Sequence, residues 1–194
     1  MIPLKTAIKL LLALVLAAAL SVPALAEYIG SEPDEGIFIT QTEKHTCTLI
    51  ACTMMLRNHS NLTDSIYEHV SETAVRAYGW TNKGLKWNFT IGQVSVECLR
   101  EISGTRDKKG YLIDLLKQHP EGFVIYDANA PHAIWLFGYD EETDTFYCAD
   151  TTTDAAGKAI PLAESILKGS TQEEKIARLD RVWVVSSAPE AEKA

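Results

Sequence analysis

Gln41-Thr-Glu-Lys-His-Thr-Cys47-Thr-Leu-Ile-Ala-Cys52-Thr-Met-Met-Leu56 decides how the rest of this chain is read. From Cys47 onward apolar residues fall on nearly every side of a helical wheel, which predicts a central, buried helix running to about Asn58. Cys47 stands at its start, where unpaired backbone N–H groups and the positive end of the helix dipole favour a thiolate over a thiol. The same end offers the Cys47 backbone N–H to a developing oxyanion, and Gln41, in the preceding loop, supplies a side-chain amide as a second donor.

A thiolate nucleophile needs a base, and five histidines are available. His45, His59, His69 and His119 lie in polar surroundings. His132 follows Pro131 and begins the apolar run Ala133-Ile-Trp-Leu-Phe-Gly-Tyr139, so its ring is held at the start of a strand. Asp150 closes the next strand, where its carboxylate can fix the tautomer of His132 and stabilise the imidazolium. Register decides whether the two meet. A four-residue loop pairing Asp140 with Thr145 puts His132 and Asp150 on opposite faces, unless a bulge intervenes or His132 lies just outside the strand.

Outward from these residues the chain divides into a helical half and a strand half. Ile37-Phe38-Ile39 reads as a short strand or extended lead-in to the first helix. Asn61-Leu62-Thr63-Asp64 offers caps for a second helix carrying Ile66, Val70, Ala74 and Ala77 as far as Gly79. Ile91 to Ile102 and Tyr111 to Gln118 read as further helices, the latter stopped by Pro120 and Gly122. Trp80, Trp87 and Phe89 read as cover for the core, with a substrate groove as the alternative. Phe123-Val-Ile-Tyr126, Ala133 to Tyr139, Thr145-Phe-Tyr-Cys-Ala149 and Val182-Trp-Val-Val185 are β-branched and aromatic and bounded by turn-formers, so they read as strands. Helices first and antiparallel strands second give an α+β domain.

The N-terminus sets the compartment. Lys5 and Lys9 precede an apolar run from Leu10 to Val22 that is shorter than the ~20 residues needed to span a bilayer, and Ala24-Leu-Ala26 offers a cleavage site. Residues 1–26 therefore read as a signal peptide, and the mature chain as secreted or extracytoplasmic with no stable membrane insertion. Residues 27–187 form one domain and 188–194 a solvated, disordered tail. Loss of the leader moves the formal charge from −8 to −10, a balance that disfavours nucleic acid and anionic membrane surfaces as partners. Cys52, Cys98 and Cys148 are expected to be mostly buried and apolar in role, with at most one disulfide among them. His45, Cys47, Cys52 and His59 do not read as a metal site, because residues five apart sit roughly 140° around a helix. No cofactor is called for.

The order Gln41, Cys47, His132, Asp150 resembles the papain-like cysteine peptidases, and in particular the bacteriocin-processing peptidases that cut double-glycine leaders. The helix with Ala51 and Met54-Met55-Leu56 after the cysteine, Leu115-Leu-Lys-Gln118 leading to Gly122-Phe-Val-Ile125, and Pro131-His132-Ala-Ile-Trp-Leu-Phe-Gly138-Tyr-Asp140 carry the likeness over about residues 37–185. Thr46 and Thr48 stand where that family usually has an acidic residue and a glycine. The resemblance implies a papain-like fold, with an N-terminal catalytic helix packed on a twisted antiparallel β-sheet. It implies Cys47 as nucleophile, His132 as base, Asp150 as orienter and Gln41 as oxyanion donor in a hydrolase acting on a peptide or protein substrate. The alternatives are a secreted, non-catalytic binding module on the same fold and an acyl transferase.

Overall fold

The computed structural model describes residues 27–63, 70–152 and 157–187; the expected leader, the expected tail and the Asp64 and Ile66 positions lie outside them. Three apolar segments rich in β-branched and aromatic residues become the heart of one sheet: β6 (Phe123–Asp127), β7 (His132–Asp140) and β8 (Thr145–Ala149). They are joined by β1 (Tyr28–Gly30), β4 (Asn88–Ile91), β5 (Val94–Leu99), β9 (Ile160–Pro161) and β10 (Arg181–Ser187). The order across the sheet is β4-β5-β10-β6-β7-β8-β9, with β1 paired to the far end of β7, and the pairings among the described residues are antiparallel. A separate hairpin joins β2 (Trp80–Thr81) to β3 (Gly84–Leu85).

Helix α1 (Cys47–Thr63) packs chiefly on β7, and also on the helix that follows it and on β6. Leu49, Ile50, Met54 and Met55 are at most 1 % exposed, and burial of each contributes about 1.5–3 kcal/mol, so the helix that presents Cys47 is anchored by its whole circumference. Helix α2 (Glu72–Gly79) begins after Ser71, whose hydroxyl accepts the Ala74 N–H at 3.2 Å. Helix α3 (Lys108–Gln118) is capped by Asp107 through the Gly110 N–H, and α4 (Gln172–Arg178) by Thr171 through the Glu174 N–H. The fold is a mixed α+β arrangement of helices on an antiparallel sheet.

Three sequence expectations are corrected. Ile91 to Ile102 is not a helix but a hairpin from β4 into β5, ended by a single 3₁₀ turn at Glu101–Ser103. Gly92 turns the chain with φ of 60°, and buried Val94 and Val96 alternate with polar neighbours while β10 closes the ladder on the other side. Strand pairing overrides the helical reading of that run. Asn61 to Thr63 do not cap a second helix; they finish α1. Ile37 ends a 3₁₀ turn from Glu35, and only then does Phe38 run extended.

Candidate active site

Cys47 is the first residue of α1, and the first turn closes when the Ile50 N–H donates to the Thr46 carbonyl at 3.0 Å. The Thr46 hydroxyl donates to the Glu43 carbonyl at 2.8 Å. His45, two residues before the cysteine, holds φ of 67°, a left-handed conformation that a non-glycine residue adopts only when its surroundings enforce it. The turn thus delivers Cys47 half-buried, at a helix N-terminus. Burial alone would push its thiol up; hydrogen bonding and charge from His132, with the Ala133 and Thr48 backbone N–H groups, outweigh that and hold it below the ordinary cysteine value.

His132 is set by the turn before it. Asp127, 1 % exposed at the end of β6, accepts the Asn129 N–H at 2.8 Å and the Ala130 N–H at 3.2 Å on one oxygen and Arg178 Nε at 2.7 Å on the other. His132 then pairs across to Asp127 as β7 begins. Its Nε2 lies 3.1 Å from Asp150 Oδ1, which leaves Nδ1 as the nitrogen available to Cys47. Burial lowers the affinity of the ring for a proton, but bonding to Asp150 and to Cys47 more than reverses this and pushes its pKa up to about 9.

Asp150 is fully buried. Besides His132 it accepts the Ile166 N–H at 2.8 Å and the Thr152 N–H at 3.3 Å. Burial would raise its pKa, yet these partners hold the carboxyl below the usual range, as an anion. Two residues that sequence reasoning missed support this arrangement. Lys175, 3 % exposed on α4, donates to the Ser165 carbonyl at 2.7 Å and the Leu167 carbonyl at 2.6 Å, on the two residues flanking Ile166. Arg178 ties the same helix to the turn that precedes His132. The period of α4 in the sequence, with Lys175 beside Ile176, gives no sign that an ammonium points inward.

Gln41 is held close to the same strand end: its backbone N–H donates to the Thr151 carbonyl at 2.9 Å, and its side-chain oxygen accepts from the Thr151 hydroxyl at 3.3 Å. Its amide nitrogen donates to the Glu43 carbonyl at 2.6 Å, which engages one of its two hydrogens. The structure therefore brings Cys47, His132 and Asp150 together directly and ties Gln41 to the residue after Asp150.

Neither a family model, nor a curated protein, nor a solved structure matches this chain.

A cavity of about 390 Å³ opens on Cys47. Trp80, Trp87, Tyr126 and Trp183 line it; of the three aromatics read as core cover, Trp80 packs against the core and also faces this groove, Trp87 is exposed at the groove, and Phe89 buries itself against Gly79. A larger cavity of about 770 Å³, between Tyr28, Phe38, Phe137 and Tyr147, holds no cysteine or histidine. The remaining thiols are unsuited to attack. Cys52 and Cys148 are fully buried and pushed up by burial, and Cys98 is pushed up to about 11, also by burial. All four cysteines are free, so the optional disulfide is absent. Among the described residues no group of three or more His, Cys, Asp or Glu is arranged to hold a metal ion, and no helix is long and apolar enough to cross a membrane.

Proposed function

We propose that this protein is an exported, papain-like cysteine peptidase that cleaves a peptide or amide bond through Cys47, His132 and Asp150. The observation that carries the reading is the unbroken series of contacts from the Cys47 sulfur through the His132 ring to buried Asp150, at the mouth of an open cavity. The packing of the Cys47 helix on an antiparallel sheet and the resemblance of the motifs around Cys47 and His132 support it.

In this mechanism the Cys47 thiolate attacks the scissile carbonyl carbon, and the oxyanion is met by the N–H groups at the start of α1, with Gln41 as the side-chain donor. The C–N bond breaks as the His132 imidazolium passes its proton to the leaving amine, and a thioester remains on Cys47. Water then attacks the thioester, His132 takes its proton, and the carboxylic acid leaves as the thiolate reforms. Asp150 keeps the ring oriented and its cation stabilised throughout. Transfer of the acyl group to an amine uses the same thioester.

A second reading, a binding module without turnover, draws on the bond from the Gln41 amide to the Glu43 carbonyl, which competes with oxyanion donation. A peptidyl vinyl sulfone separates the two. The peptidase reading expects covalent labelling at Cys47 that is lost in Cys47→Ala and His132→Ala; labelling no faster than that of a free thiol supports the binding module.

A further inference from the structure

The cavity at Cys47 runs against the charge of the molecule that surrounds it. The chain carries 26 acidic and 18 basic residues, yet no Asp or Glu is among the described residues lining this cavity, and Lys83 and Arg181 both do. Lys83 sits exposed at the turn between β2 and β3. Arg181 gives its Nε–H to Asp180 at 2.9 Å, and its guanidinium carbon lies 5.1 Å from the Tyr126 ring and 5.8 Å from the Trp87 ring. Arg100 caps the Trp87 ring at 4.7 Å. Cations stacked on aromatic faces keep a fixed orientation, and although Asp180 offsets part of the Arg181 charge, a walled cleft whose described lining carries cations and no carboxylate focuses a positive field on whatever enters. Flat aromatic walls meanwhile suit the planar peptide groups of an extended chain.

We propose that this cavity binds a carboxylate of the substrate, so that the protein acts on acidic peptides, with Lys83 and Arg181 pairing a carboxylate next to the bond that Cys47 attacks. The substrate class rests on the peptidase reading of Cys47; the anion preference of the cavity does not.

Two alkylating agents of nearly equal size test it. Iodoacetate and iodoacetamide both form an S–C bond with Cys47 and expel iodide, and they differ by one negative charge. The ratio of their rates is expected to be higher at Cys47 than at free cysteine, to fall by about ten-fold in Lys83→Glu, and to shrink as salt is raised from about 0.01 to 0.15 M. Arg181→Gln, which also loosens the stacking on Trp87 and Tyr126, is expected to move the ratio in the same direction. A ratio unaffected by both substitutions and by salt overturns the proposal. Slow reaction with both reagents, but a ratio that still responds to Lys83→Glu, leaves the anion site standing and defeats the peptidase reading instead. Competition by peptides then names the source of the carboxylate: protection by a glutamyl peptide but not its glutaminyl counterpart marks a side chain, and protection lost on C-terminal amidation marks a terminus. Absence of protection by any of them overturns the acidic-peptide assignment.

Discussion

His132 and Asp150 meet because Phe137 is bulged out of register. From the hairpin end, Asp140 pairs with Thr145, Tyr139 with Phe146 and Gly138 with Tyr147; beyond the irregularity Leu136 pairs with Cys148 and Trp135 with Ala149. Had the first register continued, Asp150 would stand opposite Trp135 and face away from His132. The extra residue moves it opposite Ile134, on the His132 side, and Nε2 comes within 3.1 Å of Oδ1. Gly138, beside the bulge, leaves room for β1, because a Cβ there would lie 1.8 Å from the Tyr28 hydroxyl.

Replacing Asp150 by Asn keeps the shape and removes the charge that holds the imidazolium. The His132 pKa is expected to fall from about 9 towards the ordinary histidine value, as read by the NMR titration of its ring protons. Cys47 reactivity at neutral pH falls with it. A His132 pKa that stays near 9 in Asp150→Asn would show that Asp150 is not its partner in solution.

Lys175 acts on the site through the backbone it holds and through its charge near Asp150. Lys175→Met leaves the Ser165 and Leu167 carbonyls without their donor and is expected to destabilise the fold by about 1–3 kcal/mol, measured as a lower urea midpoint at unchanged slope. Because Ile166 then holds Asp150 less firmly, the His132 pKa also drops. Loss of stability with an unmoved His132 pKa would reduce Lys175 to a structural role.

Stability against pH carries a sign that depends on Cys47. His132 is raised in the folded state, so its contribution is complete below the unfolded histidine value of about 6.5 and is lost as pH rises through about 9. Cys47 is lowered, so its contribution is present above the unfolded thiol value of about 8.5 and is lost as pH falls through its folded value. Between the folded Cys47 value and pH ~8.5 the two slopes oppose, each by at most about 1.4 kcal/mol per unit. The wild type is therefore expected to be nearly flat there, whereas Cys47→Ala, which keeps Asp150 beside His132, loses stability as pH rises. Parallel curves for the two proteins would contradict the thiolate–imidazolium pair.

The four thiols should separate by accessibility. At pH 6.5 a brief iodoacetamide pulse on the native protein is expected to add one label, at Cys47, and unfolding without reductant to expose all four. A mass that gains labels only after reduction would reveal a disulfide.

Much of this arrangement is legible in the sequence because it is local. The buried helix starting at Cys47, the strands either side of His132 and the loop from Asp140 to Asp144 each carry their own signal of periodicity or turn chemistry. The bulge at Phe137 is a matter of how β7 pairs with β8, which neither strand's own residues announce, and next to it Tyr28 of β1, more than a hundred residues away, lies against Gly138. The hairpin of β4 and β5 was obscured by apolar residues that fit two periods, and β10 decides between them. Trp80 and Trp87 carry no mark in sequence that separates a groove from a core, since an indole suits both. Lys175 and Arg178 look like ordinary helix-surface cations until the loop and turn they hold are seen.

The most direct test of the central claim is the pH dependence of Cys47 alkylation by iodoacetamide, from pH 4 to 10, in the wild type and in His132→Ala, with the label located by mass spectrometry. The account predicts a wild-type rate that already rises below the free-thiol value of about 8.5 and changes again near pH 9 as His132 loses its proton, and a variant whose rate rises only with an ordinary thiol. A single rise near pH 8.5 or above in both proteins would contradict it.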